Sequence, residues 1–478
     1  MPLASQNDFS LMQLAQITGG ELRGSDLSFS ALSIDSRSIN RGDLFVALRG
    51  PSFDGHAFIG AAQQGGAVAL LVEQPVDSEL PQVIVNDSHR ALGELASAWR
   101  MQYQIPVIAV TGSNGKTTVK EMLASILGQQ GKVLATKGNL NNDIGVPLTL
   151  MRINSEHHYA VIEMGANHHE EIRYLTGLAR PTVAMVNNAG PAHLEGFGDI
   201  AGVAKAKGEI FEGLQEGGVA VINADDKYTG VWEAICTGLE RKHFGIDKKA
   251  DVSATDLVSV AGAGYRFTLH AGGQSIAISL PLPGRHNVMN ALAASAAAIA
   301  AGATLAAVRD GLQSLVDVGG RLQIKQSPAG VTVIDDTYNA NPASLQAGLD
   351  VLNDSEGDKK ILVLADMGEL GNLAMSLHQQ MGEQAHRSGV DQLFTFGEMA
   401  QHAAQAFGPV ASHFTTQEAL IAELKTVLKS SEERFTVMVK GSRSMKMEYV
   451  VAALLEAEAS SGGADKDVVY ARAAEVGG

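Results

Sequence analysis

The sequence of 478 residues contains a single cysteine, Cys236, so no disulfide can form within the chain. This is typical of a reducing compartment, and we expect a cytoplasmic protein. Basic residues are also in deficit, with 36 Lys and Arg against 52 Asp and Glu and a formal net charge of −16. An acidic surface repels polyanions, so we predict no binding to nucleic acid or to an anionic membrane. A few local cations in a cleft are still enough to bind a small anionic substrate.

Long apolar runs are scarce as well. The first residues lack the basic segment and the continuous apolar core of a signal peptide, so none is predicted. Residues 288–308 carry no charge and are long enough to cross a bilayer. They are mostly alanine, which favours helices but buries little apolar area, and Asn290, Ser295 and Gly302 interrupt them. We therefore predict a buried helix of a globular domain and no membrane span.

The length of the chain exceeds what one hydrophobic core usually supports and suggests about three domains. Hydrophobic residues make up 45% and charged residues 18%, as in ordinary globular proteins. We predict an N-terminal domain over residues 1–85, a central domain over 86–315, a C-terminal domain over 316–459 and a loose tail over 460–478. We expect a monomer.

Short apolar runs that end in polar residues predict an α/β fold. The central runs are 107–110, 159–162 and 182–186, and the C-terminal ones are 331–334, 360–364, 392–396 and 435–439. Helix-length stretches separate them, which is typical of parallel sheets covered on both faces. We predict a central P-loop-type doubly wound parallel sheet, a C-terminal Rossmann-like sheet and a smaller N-terminal α/β domain with strands in 43–48 and 67–72.

A glycine-rich loop joins the first central strand to a helix predicted over 117–130. Backbone N–H groups at the start of such a helix point towards an anion, and glycines let the backbone close around phosphates. Lys116 is placed to reach the β- and γ-phosphates, and the Thr117 hydroxyl to bind Mg²⁺. Val110 stands where the common P-loop has its first glycine, so this is a shortened variant. The predicted nucleotide contacts are Gly112, Ser113, Asn114, Gly115, Lys116, Thr117 and Thr118; the plainer alternative is a glycine-rich turn without a ligand.

This loop resembles that of the Mur ligase superfamily, which includes the muramyl peptide ligases and folylpolyglutamate synthase. Further segments resemble the family in the same order along nearly the whole chain: 35–37 with 42–48 and 54–56, 138–147, 163–167, 187–195, 206–211, 283–287 with Asn290, 335–342 and 439–443. Asn-Ala-Asn-Pro at 339–342 and Lys-Gly-Ser-Arg at 440–443 are similar to the branch that adds D-alanyl-D-alanine.

The resemblance implies an ATP-dependent amide ligase that works through an acyl phosphate. Its implied substrates are a UDP-N-acetylmuramoyl-tripeptide and D-alanyl-D-alanine, and its implied cofactors are ATP and Mg²⁺. The N-terminal domain would hold the UDP-sugar, the central domain the ATP, and the C-terminal domain would close over the nucleotide. The implied catalytic residues are Lys116, Glu163, His193, Lys207 and Arg321.

The resemblance also assigns metal ligands. Glu163 follows an apolar strand, where ligands of α/β sheets bind, and Mg²⁺ prefers a few carboxylates with phosphate oxygens. Glu163 and His193 are the implied ligands beside Thr117, and Lys207 is implied to carry a carbamate, because a free ammonium would repel the ion. The plainer alternatives are a surface carboxylate for Glu163, a structural histidine for His193 and a solvated lysine for Lys207. Because Lys205 lies two residues away, it stays open which lysine carries the carbamate.

Other residues are predicted to bind nucleotide or substrate. Asn287 and Asn290 lie one helical turn apart and suit adenine or metal-bound groups, although Asn287 can equally cap the helix. Arg321 and Asp336 resemble contacts to the γ-phosphate and the ribose. Candidate substrate contacts are Asp35, Ser36 and Arg37 for the UDP-sugar and Tyr338, Asn339, Lys440, Ser442 and Arg443 for the peptide. For Asp35, a role in capping a turn stays open.

Two alternative functions remain. One is another ligase of the superfamily, with a different amino acid acceptor or a folate substrate; the motifs at 35–37 and 54–56 are similar to a UDP-binding domain and argue against folate. The other is a P-loop regulatory ATPase, against which the matched Glu163, His193 and Lys207 count.

Overall fold

The computed structural model describes residues 9–29, 31–50, 53–260, 264–315, 319–430 and 432–456. The predicted tail at 460–478 lies outside these residues. The chain divides into two compact units. The first contains Met1–Val318, Asn341–Val351 and Met367–Leu377, and the second contains Gly319–Ala340, Leu352–Asp366 and His378–Gly478.

The first unit begins with a small sheet. Its five strands follow the order Glu21–Arg23, Gln82–Ile84, Ala69–Val72, Leu44–Val46 and Leu32–Ser33, and the pairs are parallel except for the first. The strands predicted in 43–48 and 67–72 are therefore confirmed. Short antiparallel pairs join Phe9–Ser10 to Ser28–Phe29 and Arg49–Gly50 to Phe53–Asp54. The helices are Leu11–Thr18, the 3-10 helix Gly55–Phe58, and Ile59–Gly65.

The larger sheet of the first unit has nine strands among the described residues. Their order is Val133–Ala135, Tyr159–Glu163, Val107–Thr111, Val183–Val186, Val219–Asn223, Glu240–Gly245, Val252–Val260, Gly264–Ala271 and Gln274–Leu280. The first seven are parallel, and the last two form antiparallel pairs. The three predicted central strands are confirmed. The antiparallel extension was not predicted, although Gly264–Ala271 alternates buried and partly exposed residues as a strand with one covered face does.

Helices cover both faces of this sheet. They are Ser88–Arg100, Lys116–Gly128, Gly145–Leu150, Glu171–Ala179, Leu194–Phe197, Ile200–Gly208, the 3-10 helix Glu209–Gly213, Thr229–Ile235, Arg285–Ala300 and Leu305–Gln313. One core packs Lys116–Gly128 and Arg285–Ala300 against Ile108, Val110 and Met185. The other packs Ser88–Arg100 against Val107 and Ala109. Because both faces are covered, the central strands are apolar on both sides.

The alanine-rich segment is buried as predicted, but it is not one helix. Arg285–Ala300 ends before Gly302, whose φ of +95° suits glycine and stops the helix. Thr304 then caps Leu305–Gln313, because its side chain accepts a hydrogen bond from Ala307 N at 3.2 Å. Within the residues that the structure describes, no helix is both long and apolar enough to cross a membrane.

The second unit contains a sheet of six strands among its described residues. Their order is Gln323–Gln326, Thr332–Asp336, Phe435–Lys440, Lys359–Ala365, Gln392–Phe396 and Ala411–Phe414; only the first pair is antiparallel. The four predicted C-terminal strands are confirmed. Helices in this part of the sequence are Pro342–Asp354, the 3-10 helix Gly371–Leu373, Ala374–Arg387, Ala400–Phe407, Gln417–Lys429, the 3-10 helix Arg443–Met445 and Glu448–Leu455.

Two helical glycines of the first unit should respond oppositely to alanine. A Cβ on Gly311 would lie 2.4 Å from the Cα of Ile126, whereas one on Gly177 would meet nothing within 4 Å. We expect Gly311→Ala to destabilise the unit by about 1–3 kcal/mol because backbone cannot move aside easily. Gly177→Ala should stabilise it by about 0.5–1 kcal/mol. Thermal unfolding of both variants checks this, and equal Tm shifts would contradict the packing.

Candidate active site

The predicted phosphate loop follows the strand Val107–Thr111 and ends where the helix Lys116–Gly128 begins. Gly115 stands at the helix N-cap with a φ of +78°, a conformation that favours glycine. A Cβ at this position would lie 2.4 Å from Asn290 Oδ1 and 2.6 Å from Asn187 Nδ2. Glycine is therefore required here both by the backbone angle and by the side chains that surround it.

Residues that follow the neighbouring strand Val183–Val186 hold the loop. Ser113 N donates to Asn188 O at 3.0 Å, and Asn114 N donates to Asn188 Oδ1 at 2.9 Å. Gly190 N donates to Ser113 Oγ at 2.9 Å. The ammonium group of Lys116 donates to Gly112 O at 2.7 Å, so its charge lies over the loop. A positive charge and a preformed turn at a helix N-terminus suit bound phosphates.

Three buried amides connect the loop to the helix Arg285–Ala300. Asn187 Nδ2 donates to Asn290 Oδ1 at 2.8 Å, and Asn290 Nδ2 donates to Asn287 Oδ1 at 3.1 Å. Asn287 Nδ2 donates to Pro283 O at 2.7 Å, while Gly284 is the N-cap of the helix. The capping alternative for Asn287 is therefore wrong, because Gly284 is the N-cap and no side chain among the described residues caps the helix. Contact of Asn287 and Asn290 with a nucleotide stays a prediction.

Glu163 ends the strand beside the loop strand, where it pairs in register with Val110. Its side chain is buried, so the alternative of a surface carboxylate is wrong. Asn141 Nδ2 donates to its Oε1 at 2.9 Å. Its Oε2 is also buried and has no hydrogen-bond partner among the described residues. A buried carboxylate oxygen without a protein donor is suited to a cation.

His193 has a φ of +54° and precedes the short helix Leu194–Phe197. Its Nδ1 lies 2.8 Å from Glu369 Oε2, and this hydrogen bond lowers the pKa of the Glu369 carboxyl. An ionised carboxylate can only accept, so Nδ1 donates this hydrogen bond, and Nε2 is the ring nitrogen left to ligate a metal. A carboxylate that orients histidine in this way is common behind metal-ligating imidazoles.

Lys207 is completely buried in the helix Ile200–Gly208, whereas Lys205 is exposed. Burial, and to a smaller extent the charge of Lys116, lowers the pKa of Lys207 to about 7 against the opposing effect of Glu171 and Glu209. Its Nζ lies 5.4 Å from the centre of the Phe197 ring. The alternative of a solvated lysine is wrong for Lys207, and only Lys207 of the two has the burial expected of a modified side chain.

The candidate residues of the second unit form their own group. The guanidinium of Arg321 lies 4.0 Å from the centre of the Tyr338 ring. Lys440 is buried and donates to the Asp336 carboxylate and, at 3.0 Å, to Asn339 O. Five of the predicted residues are thus brought together in three contacts that share the segment 336–339.

Two further candidates lie at the end of the strand Phe435–Lys440. Ser442 N donates to Asp366 O at 3.0 Å. Arg443 is exposed, and its Nη1 lies 3.1 Å from Glu448 Oε1. The roles of these residues at a substrate stay predictions.

Asp35, Ser36 and Arg37 form a surface turn. Arg37 N donates to Asp35 Oδ1 at 2.9 Å, and the Arg37 guanidinium lies 2.7 Å from Asp35 Oδ2. These hydrogen bonds lower the pKa of Asp35 to about 2. Asp35 therefore caps the turn, which was the alternative left open. A contact with a UDP-sugar stays a prediction.

A group of three or more His, Cys, Asp or Glu side chains suited to a metal does not occur among the described residues. This agrees with the chemistry of Mg²⁺, which usually takes one or two carboxylates together with water and substrate phosphates. Glu163 Oε2 and His193 Nε2, with the Thr117 hydroxyl and a modified Lys207, are donors that fit such an ion.

Three residues that contact the candidates received no role from the sequence. Asn141 and Asn187 lie inside the family-like segments 138–147 and 187–195, so their position in those segments was an available signal. Glu369 lies outside all of those segments, and its contact with His193 depends on chain folding alone.

Together, the parallel sheet and the loop at its carboxyl edge define a nucleotide-binding α/β enzyme of the phosphate-loop class. Three family models match in order: Mur ligase family, catalytic domain, over 28–100; Mur ligase middle domain over 110–298; and Mur ligase, glutamate ligase domain, over 320–443. The chain belongs to the Mur ligase family and is an ATP-dependent ligase, as the sequence predicted.

Its relatives within the family include several D-alanyl-D-alanine-adding ligases. The UDP-N-acetylmuramoyl-tripeptide–D-alanyl-D-alanine ligase of Escherichia coli K12 is 47% identical over 94% of this chain and 98% of its own. The structure of MurF from Acinetobacter baumannii is 37% identical, with a TM-score of 0.90 over 94% of this chain and 99% of its own. MurF ligase from Thermotoga maritima, in complex with ADP, is 29% identical with a TM-score of 0.80 over 89% and 96%. The predicted α/β class and family are confirmed.

Substitution of the loop glycine tests the site. Gly115→Ala would place a methyl group against Asn290 and Asn187, so we expect ATP affinity to fall at least about tenfold as the loop is displaced. Isothermal titration calorimetry measures the effect. Gly128→Ala, at the other end of the same helix with nothing within 4 Å of the added Cβ, is the matched control. Wild-type ATP affinity in Gly115→Ala would contradict the site.

Proposed function

We propose that this enzyme joins D-alanyl-D-alanine to a UDP-N-acetylmuramoyl-tripeptide and converts ATP to ADP and phosphate. The observation that carries the proposal is the 47% identity to the E. coli ligase of that name over nearly the full length of both chains. The phosphate loop, braced by buried amides, supports the use of ATP. The reaction places the enzyme in peptidoglycan precursor synthesis, and we propose that it acts in the cytoplasm as a monomer.

The chemistry requires activation because the oxide of a carboxylate is a poor leaving group. The terminal carboxylate of the tripeptide attacks the γ-phosphorus of ATP, which gives an acyl phosphate and ADP. The amine of D-alanyl-D-alanine then attacks the acyl carbon and loses a proton. The tetrahedral intermediate expels phosphate and leaves the amide. Lys116, at the phosphate loop, and Arg321 neutralise the charge that develops on the transferring group.

We propose that Thr117, Glu163, His193 and a carbamate on Lys207 hold Mg²⁺. The bound ion neutralises phosphate charge and orients the γ-phosphoryl group. Glu163 offers a buried oxygen that has no hydrogen-bond partner in the described part of the chain, and Glu369 orients the ring of His193. Lys207, whose pKa is about 7, has a neutral amine available near neutral pH. That amine can add to CO₂ and release a proton, which converts a repelling cation into an oxygen anion.

The remaining roles follow the family resemblance. We propose that residues 1–85 bind the UDP-sugar through Asp35, Ser36 and Arg37, and that residues 86–315 bind ATP with the help of Asn287 and Asn290. Residues 316–459 would supply Arg321 to the γ-phosphate and Asp336 to the ribose. Tyr338, Asn339, Lys440, Ser442 and Arg443 would contact the peptide substrates; the hydrogen bonds between Lys440, Asp336 and Asn339 support a fixed arrangement there.

The ligase reaction is tested directly by its products. ATP, UDP-N-acetylmuramoyl-tripeptide and D-alanyl-D-alanine should give the pentapeptide product and ADP by mass spectrometry, and omission of either peptide substrate should abolish ADP formation. Lys116→Ala should lower the rate at least about a hundredfold, because a loop cation is lost from the transition state. Ligation of single amino acids or of glutamate to a folate instead would overturn the acceptor, and ATP hydrolysis without either substrate would favour a regulatory ATPase.

The carbamate is tested by pH and by isotope. CO₂ adds only to the neutral amine, so below the pKa of Lys207 the reaction is slow and above it the rate levels off. At constant dissolved CO₂, reactivation of CO₂-depleted enzyme should quicken about tenfold from about pH 6 to about pH 8. A carbamate resonance should appear with ¹³C-bicarbonate, persist in Lys205→Ala and vanish in Lys207→Ala. A resonance that survives in Lys207→Ala would place the modification elsewhere.

A further inference from the structure

Asn187 lies at the junction of the phosphate loop and the helix Arg285–Ala300, and its side chain is completely buried. Its Nδ2 donates to Asn114 O in the loop at 2.9 Å and to Asn290 Oδ1 in the helix at 2.8 Å. Its backbone is held separately, because its carbonyl accepts from Asn223 Nδ2 at 2.9 Å and its N–H donates to Thr111 O at 2.9 Å. The backbone that carries this side chain is therefore held in place by hydrogen bonds of its own.

The orientation of the side-chain amides of Asn187, Asn290 and Asn287 is determined by their acceptors. Asn114 O is a backbone carbonyl and can only accept, so Nδ2 of Asn187 must face it. Asn290 then presents its Oδ1 to Asn187 and its Nδ2 to Asn287, and Asn287 donates to Pro283 O. If the oxygen and nitrogen of any one of these three side-chain amides were exchanged, two oxygens or two N–H groups would face each other. Asn187 thus donates to the loop on one side and, on the other, begins a series of hydrogen bonds that runs through Asn290 and Asn287 to Pro283 O.

The hydrogen bond to Asn114 O has a consequence for the next peptide group. No cis peptide occurs among the described residues, so the Asn114–Gly115 peptide is trans and planar, with its C=O and N–H in opposite directions. Asn188 Nδ2 also donates to Asn114 O, at 3.1 Å, and the two side chains together hold this carbonyl and turn the N–H of Gly115 away from Asn187. That N–H is one of the donors that a phosphate loop offers to its ligand.

We propose that Asn187 is a positioning residue that aims the Gly115 N–H at the nucleotide phosphates, and that Asn290 and Asn287 hold Asn187 in place. The proposal rests on the nucleotide binding proposed for this loop and not on the identity of the amine acceptor. A positioning role differs measurably from that of a buried amide that only adds stability. An aiming role affects the binding of phosphates selectively, whereas a purely structural role does not.

The experiment compares affinity for ATP and for AMP, which lacks the β- and γ-phosphates. In Asn187→Ala, we expect the Kd for ATP to rise at least about tenfold and the Kd for AMP to change less than about twofold. Ser295→Ala is the matched control. Ser295 is buried in the helix Arg285–Ala300 and donates to Ala291 O of that helix, so both affinities should stay as in the wild type. Equal losses for ATP and AMP in Asn187→Ala, or unchanged ATP affinity, would overturn the proposal.

Asn187→Asp gives a second readout if the alanine variant does not fold. An ionised carboxylate would face Asn114 O and Asn290 Oδ1, both acceptors, so burial and repulsion favour its protonated form. The protonated carboxyl can donate one hydrogen bond, so ATP affinity of this variant, relative to the wild type, should improve as the pH is lowered. A pH-independent ratio would count against an aiming role. If ligation of D-alanyl-D-alanine fails in the wild type while Asn187→Ala still loses ATP selectively, the proposed reaction is wrong and the role of Asn187 stands.

Discussion

The absence of a side chain at Gly115 is the constraint on which the candidate site depends. The space that a Cβ would occupy is taken by the amides of Asn187 and Asn290. These amides can approach the backbone only because glycine is there, and the loop can hold its left-handed turn for the same reason. Hydrogen bonds therefore join the phosphate loop, the residues after the strand Val183–Val186 and the first turns of the helix Arg285–Ala300. The turn that would bind a phosphate is already formed without it.

The second feature of the site is the burial of groups that water would normally solvate. Lys207 is fully buried and has a pKa of about 7, and Glu163 has a buried oxygen to which no group within the described ranges donates. Such groups are costly to bury unless something compensates them. A carbamate on Lys207 and a cation beside Glu163 would compensate both. The same burial that destabilises the chain without ligands thus supports the proposed chemistry.

Much of this could be predicted from local sequence. Apolar runs with polar ends located three of the parallel strands of the central sheet and four strands of the second unit, because strands covered on both faces must be apolar throughout. The alanine-rich helix was predicted too long, because the left-handed conformation of Gly302 was not evident from composition. The antiparallel strands Gly264–Ala271 and Gln274–Leu280 were missed, since an alternation of buried and exposed residues is a weaker signal than an apolar run.

By itself, the sequence determined the α/β class, the phosphate loop and the family, because each depends on residues that are adjacent or regularly spaced. Tertiary structure alone decided that Asn187 and Asn290 meet across 103 positions and that Glu369 reaches His193. It also decided that Lys207 and not Lys205 is buried, which composition could not distinguish. Hydrogen bonds and desolvation act through distances in space, and side chains far apart in sequence acquire those distances only when the chain folds.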